Sequence, residues 1–197
     1  MVAHDLNNPL LMDTTNEFDF INKLGANTYQ IRSGYWEVSK PIIIDGDLHI
    51  MPGTNISFSN DSFIIVKGSL KAIGTEINPI NFQALSDTWK GLYILNSKDK
   101  SFLENVSIGQ ISALESNLLN LTGAITFYNT TVDFKDVRIF DIKAEDAINF
   151  VNSVFSINSI QIENSLSDGI DSDFSTGQVT NSLFMNIGGD ALDFSGS

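Results

Sequence analysis

What most constrains this chain is a phrase that returns near its carboxyl end: Asp146-Ala147-Ile148-Asn149, Asp168-Gly169-Ile170-Asp171 and Asp190-Ala191-Leu192-Asp193. The apolar members stand at 148, 170 and 192, so the returns are evenly spaced. A fixed period of roughly 20 residues, in a segment rich in β-branched and aromatic residues, is the mark of a solenoid in which each turn is one supersecondary unit stacked on its neighbour. The same interval is present near the amino end. It separates Gly46-Asp47-Leu48-His49-Ile50 from Gly68-Ser69-Leu70-Lys71-Ala72, and each is followed by Gly-Thr and an apolar pair, Ile56 with Phe58 and Ile80 with Phe82. One solenoid therefore spans both ends.

Residues 1–13 read as a lead-in. Thr14-Thr15-Asn16-Glu17 is a capping-box pattern, Phe18, Ile21 and Leu24 follow at three-residue intervals, and Gly25 suits a left-handed C-cap. The pattern predicts a short helix over about 15–24, placed to cover the first coil's open edge. The chain thus divides into 1–28, lead-in and capping helix, and 29–197, the repeat domain. Leu92 precedes Ile125 by one coil and half as much again, and the surplus falls at 111–121. There Ile111, Leu114, Leu118 and Leu121 have helical spacing, and Ser112 with Glu115 repeats the capping box, so a short helix or lobe is expected to bulge from a coil. Such an insertion either overlies a binding face or elaborates the packing. Stacking at the ordinary strand spacing turns like positions into ladders. Phe127, Phe150 and Phe194 make an interior one, interrupted at Ser172, and Asn164 and Asn186 make one of paired amides.

The net charge is −13, from 24 acidic and 11 basic side chains. Lys143 is the last basic residue, and eight carboxylates follow it. Such a surface repels phosphate backbones, which excludes nucleic acid as a partner and favours cations or sugars. There is no Cys, so neither disulfides nor thiolate chemistry is available. No apolar run is long enough for a membrane span. The first residues show no signal peptide, which fits a cytoplasmic protein or an excised piece of a secreted one.

Repeats of this length, with Gly-Thr turns, asparagines at bends and stacked aliphatic and aromatic ladders, resemble the right-handed parallel β-helix of the pectin-lyase-like superfamily. The resemblance covers roughly 29–197 and implies an all-β solenoid of about seven coils, each of about 22 residues, in a secreted or cell-surface setting. Ser167-Asp168-Gly169-Ile170-Asp171 and Gly188-Gly189-Asp190-Ala191-Leu192-Asp193 are similar to the carboxylate motifs of polygalacturonase-type hydrolases. By that resemblance Asp168 and Asp190 are the candidate catalytic acids. Gly189 stands where a third carboxylate belongs, and the histidine and basic motifs of those hydrolases have no counterpart. A cation-assisted lyase needs a base such as Arg beside its carboxylates, and Arg32 and Arg138 lie outside the acidic coils.

Strand parity divides the acidic returns in two. Asp146, Asp168 and Asp190 lie two residues before an inward Ile or Leu, so as strand residues they would bury charge; they are expected in turns, accepting backbone N–H bonds. Asn149, Asp171 and Asp193 have the opposite parity and are expected to face solvent, with Asp173 on the same face. Like charges stacked this closely raise one another's pKa or recruit a cation, so Asp171, Asp173 and Asp193 are the candidate ligands for Ca2+. Tyr35, Trp36, Trp89 and Tyr93 are the aromatics able to stack on a sugar, although Trp in a β-coil more often packs the core. His49 alternates with Leu48 and Ile50 and is expected to face solvent.

Three functions fit these residues. One is a carbohydrate-associated or structural module without a complete catalytic site. The others are a polysaccharide-active hydrolase, lyase or epimerase using the carboxyl-terminal carboxylates, and an adhesin or scaffold fragment. The last coil leaves a strand unpaired, so continuation of the sheet or self-association through that coil is expected.

Overall fold

The computed structural model describes residues 11–115 and 120–197, which form a parallel β-solenoid of about seven turns, 63% strand and 2% helical. Seven parallel strands build one of its walls in chain order: Ile42–Ile44, Ile64–Val66, Leu92–Leu95, Gly123–Tyr128, Asp146–Val151, Asp168–Asp173 and Leu192–Ser195. Their register joins Ile42, Ile64, Leu92, Ile125, Ile148, Ile170 and Leu192 into a single row. The even return in the sequence is this row. A parallel row holds Ile44, Val66, Ile94, Phe127, Phe150, Ser172 and Phe194. Both rows point inward and are fully buried as far as Ile170 and Ser172, while Leu192 and Phe194 of the last coil are exposed. Phe127 and Phe150 stack at 5.6 Å, as expected for the interior aromatic ladder.

The remaining walls belong to a second sheet whose long strands, Ser101–Ser112, Thr131–Lys143 and Val154–Ser165, pair in parallel and bend twice. The bends fall at left-handed residues, first Asn105, Asp136 and Ser159, then Gln110, Asp141 and Asn164. Asn and Asp tolerate this conformation better than other L-residues, which is why they recur at corners. Asn186 Nδ2 donates to Asn164 Oδ1 at 3.0 Å, and Asn164 Nδ2 to Asp141 Oδ1 at 2.9 Å, so the expected amide ladder forms. A further corner carries Asn96, Asn129 and Asn152, linked in the same way, and then Phe174, also left-handed.

At the amino end the expected helix shrinks to one 3-10 turn, Thr15–Glu17. The Thr14 hydroxyl does not cap it; it donates to the Pro41 carbonyl at 3.0 Å and accepts the Ile43 N–H at 2.9 Å, while Glu17 pairs with Lys40. Ile21–Lys23 then runs as a strand antiparallel to Thr28–Ile31, so a sheet edge rather than a helix satisfies its backbone. This segment still closes the core. Phe18 and Phe20 are buried, and Phe20 stacks on Trp36 at 5.0 Å.

Of the helix or lobe expected over 111–121, the described residues form a lobe built on an antiparallel strand pair. Ile111 and Ser112 end the long strand, and Leu114–Glu115 pairs antiparallel with Asn120–Leu121. Leu118 lies outside the described residues. The hairpin places Leu114 opposite Leu121, and both bury against the outside of the seven-stranded wall with Leu11, Ile43, Ile65, Tyr93 and Leu95. The Tyr93 hydroxyl fastens it, accepting the Leu114 N–H at 2.8 Å and donating to the Lys90 carbonyl at 2.6 Å. Burial against a ready apolar face outweighs helical spacing.

Candidate functional site

The outward row of the seven-stranded wall reads Ile43, Ile65, Tyr93, Thr126, Asn149, Asp171 and Asp193. Its first three members lie under the hairpin cluster. Where the hairpin ends, the row turns polar, and Leu121 and Thr122 become one side of a cleft of about 200 Å³. Glu145, Asp146, Asn149, Asp171 and Asp173 line the rest, with Thr126 and Val151.

Asp146 is the residue that parity misplaced. It is the first residue of a strand, buried, and its Oδ2 lies 3.4 Å from both the Asn149 Nδ2 and the Thr122 Oγ1. The reason is a slip in the alternation. Ala147 and Ile148 are consecutive and both enter the main core, as do Ala124 and Ile125 one coil earlier. Two inward neighbours in succession shift the phase, so Asp146 emerges on the outer face instead of in a turn. Gly123 occupies the register position beside it. A Cβ on Gly123 would stand 2.8 Å from the Asn149 Cβ and 3.1 Å from the Thr126 Oγ1, so the missing side chain keeps that end of the cleft open.

Asn149 links the two acids. Its Nδ2 donates to Asp171 Oδ2 at 2.8 Å and reaches Asp146 Oδ2 at 3.4 Å, which puts the two carboxylate oxygens within about 6 Å of each other. Burial, together with the charges of Asp171, Glu145 and Asp168, pushes Asp146 up to about 7 against the opposing Asn149 hydrogen bond. Burial and the charges of Asp173 and Asp193 raise Asp171 to about 6. Both carboxyls are thus held above the ordinary carboxylate range, Asp146 in part by the charge of Asp171. Among the described residues no Lys or Arg lines the cleft. The Thr126 hydroxyl, on a side chain 1% exposed, has no hydrogen-bond partner among the described residues.

The candidate catalytic acids lie elsewhere. Asp168 Oδ1 accepts the backbone N–H of Asp190 at 2.8 Å as expected, although Asp168, like Asp146, is the first residue of a strand rather than part of a turn; Asp190 is exposed. A Cβ on Gly189 would come within 2.0 Å of Asp168 Oδ1, so a side chain there would displace the Asp168 carboxylate. Asp171, Asp173 and Asp193 share the outer face as expected, Asp171 and Asp193 in register. Among the described residues no three acidic or histidine side chains are grouped to hold a metal ion. Positions two apart on a strand are separated by about 7 Å, and the Asn149 amide presents a donor where an ion would need oxygen. Of the aromatics, Trp89 is buried and stacked on Phe58 at 4.2 Å, and Tyr93 is buried; Tyr35 is 85% exposed. His49 is half-buried on a strand of the other sheet.

Comparisons of the chain with protein-family models, with curated proteins and with solved structures return no match. No helix among the described residues is long and apolar enough to cross a membrane.

Proposed function

We propose that this chain is a carbohydrate-associated β-helix module, of the pectin-lyase-like kind that its repeats resemble, which holds a glycan in the acidic cleft without a complete catalytic site. The supporting observation is the Asp146–Asn149–Asp171 chain of side chains in a concave site that also offers the Thr126 hydroxyl. Sugar hydroxyls are both donors and acceptors, and carboxylate, amide and hydroxyl groups converging beside apolar Leu121 and Val151 suit them. The negative charge of the cleft disfavours uronates. The same superfamily resemblance favours a secreted or cell-surface setting. A glycan array with the purified chain tests this reading: retention of neutral or cationic glycans, lost in Asp171→Ala, is expected, and an array silent for the folded protein refutes it.

A second reading, a polysaccharide hydrolase, is favoured by one observation. Asp146, raised to about 7, holds its proton for part of the time at neutral pH and lies close to a second carboxylate, the arrangement a general acid and its partner need. In this reading the acids are Asp146 and Asp171 rather than Asp168 and Asp190. Release of reducing sugar that disappears in Asp146→Asn supports it, and binding without turnover returns the assignment to the module.

A further inference from the structure

We propose that the cleft recognises a protonated amine carried on a sugar ring, that is, a glycan containing hexosamine without N-substitution. The inference rests on the glycan reading of this cleft and deepens it. Four carboxylates, Glu145, Asp146, Asp171 and Asp173, line a cleft that no Lys or Arg among the described residues enters. The ion pairs among the described residues lie elsewhere, and Lys143, the last basic residue of the chain, is turned to Asp87. A neutral sugar would leave that charge uncompensated, and a uronate would add to it. A bound cation relieves it.

The kind of cation follows from the donors and acceptors. A metal ion needs several oxygens converging on one point, and among the described residues no three acidic or histidine side chains are grouped to do so. The Asn149 Nδ2 already lies between the two acids and shows how a nitrogen donor is accommodated there. An ammonium brings three directed N–H donors. The carboxylates flanking Asn149 can accept two of them. The Thr126 Oγ1, buried and without a partner among the described residues, is an independent sign of a missing polar group, since a buried hydroxyl normally makes a hydrogen bond. It stands next to Asn149 in the outward row and beside the space left by Gly123. The apolar edge of Leu121 and Val151 gives the sugar ring a surface that a bare ammonium does not use.

Titration calorimetry on the whole chain, with a glucosamine trimer, its N-acetylated counterpart and a lysine trimer, tests the inference. The expected result is binding of the glucosamine trimer at least tenfold tighter than either of the others. Asp171→Asn should remove most of that preference, and Thr126→Val, which keeps shape and foldability, should weaken the glucosamine trimer severalfold. Equal binding of the free and N-acetylated trimers overturns the amine and leaves the glycan reading standing. Equal binding of the lysine trimer overturns the sugar ring as carrier. No binding of either sugar overturns the hexosamine and leaves the glycan reading to the array, and an affinity unmoved by Thr126→Val together with Asp171→Asn overturns the placement in this cleft.

Discussion

The two halves of the outer row on the seven-stranded wall share backbone, register and strand spacing, yet they serve opposite ends. Ile43, Ile65 and Tyr93 in the amino half are roofed by Leu11, Leu114 and Leu121 and form a second apolar cluster outside the solenoid. Thr126, Asn149 and Asp171 in the carboxyl half carry polar groups on the same row, and there the hairpin supplies only a side wall. The repeat therefore fixes where a side chain points, and the choice of side chain at each rung decides whether the face is sealed or left to a ligand.

The comparison breaks most visibly at Tyr93. Tyr93→Ala empties a buried aromatic site and unfastens Leu114, and a loss of roughly 3–5 kcal/mol is expected. For a chain of this size that is a fall in Tm of roughly 10 °C, checked by calorimetric melting. A fall under about 3 °C would mean that the roof adds little to the amino half.

The next effect belongs to Asp146. Its folded-state pKa is raised to about 7, above the ordinary carboxylate value, so its contribution is full below about pH 4 and is lost as pH rises through about 7. Stability should decline over that window by about 2–4 kcal/mol. The groups facing it are the Asp171, Glu145 and Asp168 carboxylates with Asn149 and Thr122. In Asp146→Asn the decline should flatten, and denaturant midpoints at pH 4.5 and 8 measure it. An unchanged slope would show that Asp146 does not carry the proton.

The smallest effect lies at the corner of the acidic coil. Phe174 is 73% exposed and left-handed at φ 49°, one rung after Asn96, Asn129 and Asn152. Phe174→Asn extends that ladder and relieves an unfavoured conformation, so a gain of about 0.5–1 kcal/mol is expected. A loss in chemical denaturation would instead show that the Phe174 ring supports the last coil.

Much of this was legible in the residues. The rows of Ile, Leu and Phe follow from the even return of one phrase, and the Asn164–Asn186 pairing follows from two asparagines at the same offset. That Asn149 and Asp171 leave the core face was also readable, because alternation holds from Ile148 onward, but Asn149 is buried rather than open to solvent. The place of Asp146 was not readable, since parity was carried backward through Ala147, where alternation fails. The signal was available: a small residue stands before the anchors of these coils, Ala124 before Ile125 and Ala147 before Ile148, and both fit the core only if the strand slips. The amino-terminal helix, and the helical form of the 111–121 lobe, fail for a different reason. Leu114 and Leu121, like Phe18 and Ile21, have helical spacing within their own segments, but sheet edges and apolar faces elsewhere in the chain supply their partners.

The roof has one further consequence, for synthesis. Leu11 belongs to the same apolar cluster as Leu114 and Leu121, so the outer face of the first coils cannot be sealed until the hairpin has left the ribosome. Until then Ile43 and Ile65 remain uncovered on a growing chain. After Leu121 each coil pairs its strands with those of the coil before it, with the Lys143–Asp87 ion pair reaching one coil further back. The chain is thus made in two tempos: a delayed, all-at-once closure of its amino half, followed by coil-by-coil growth of the half that carries the cleft.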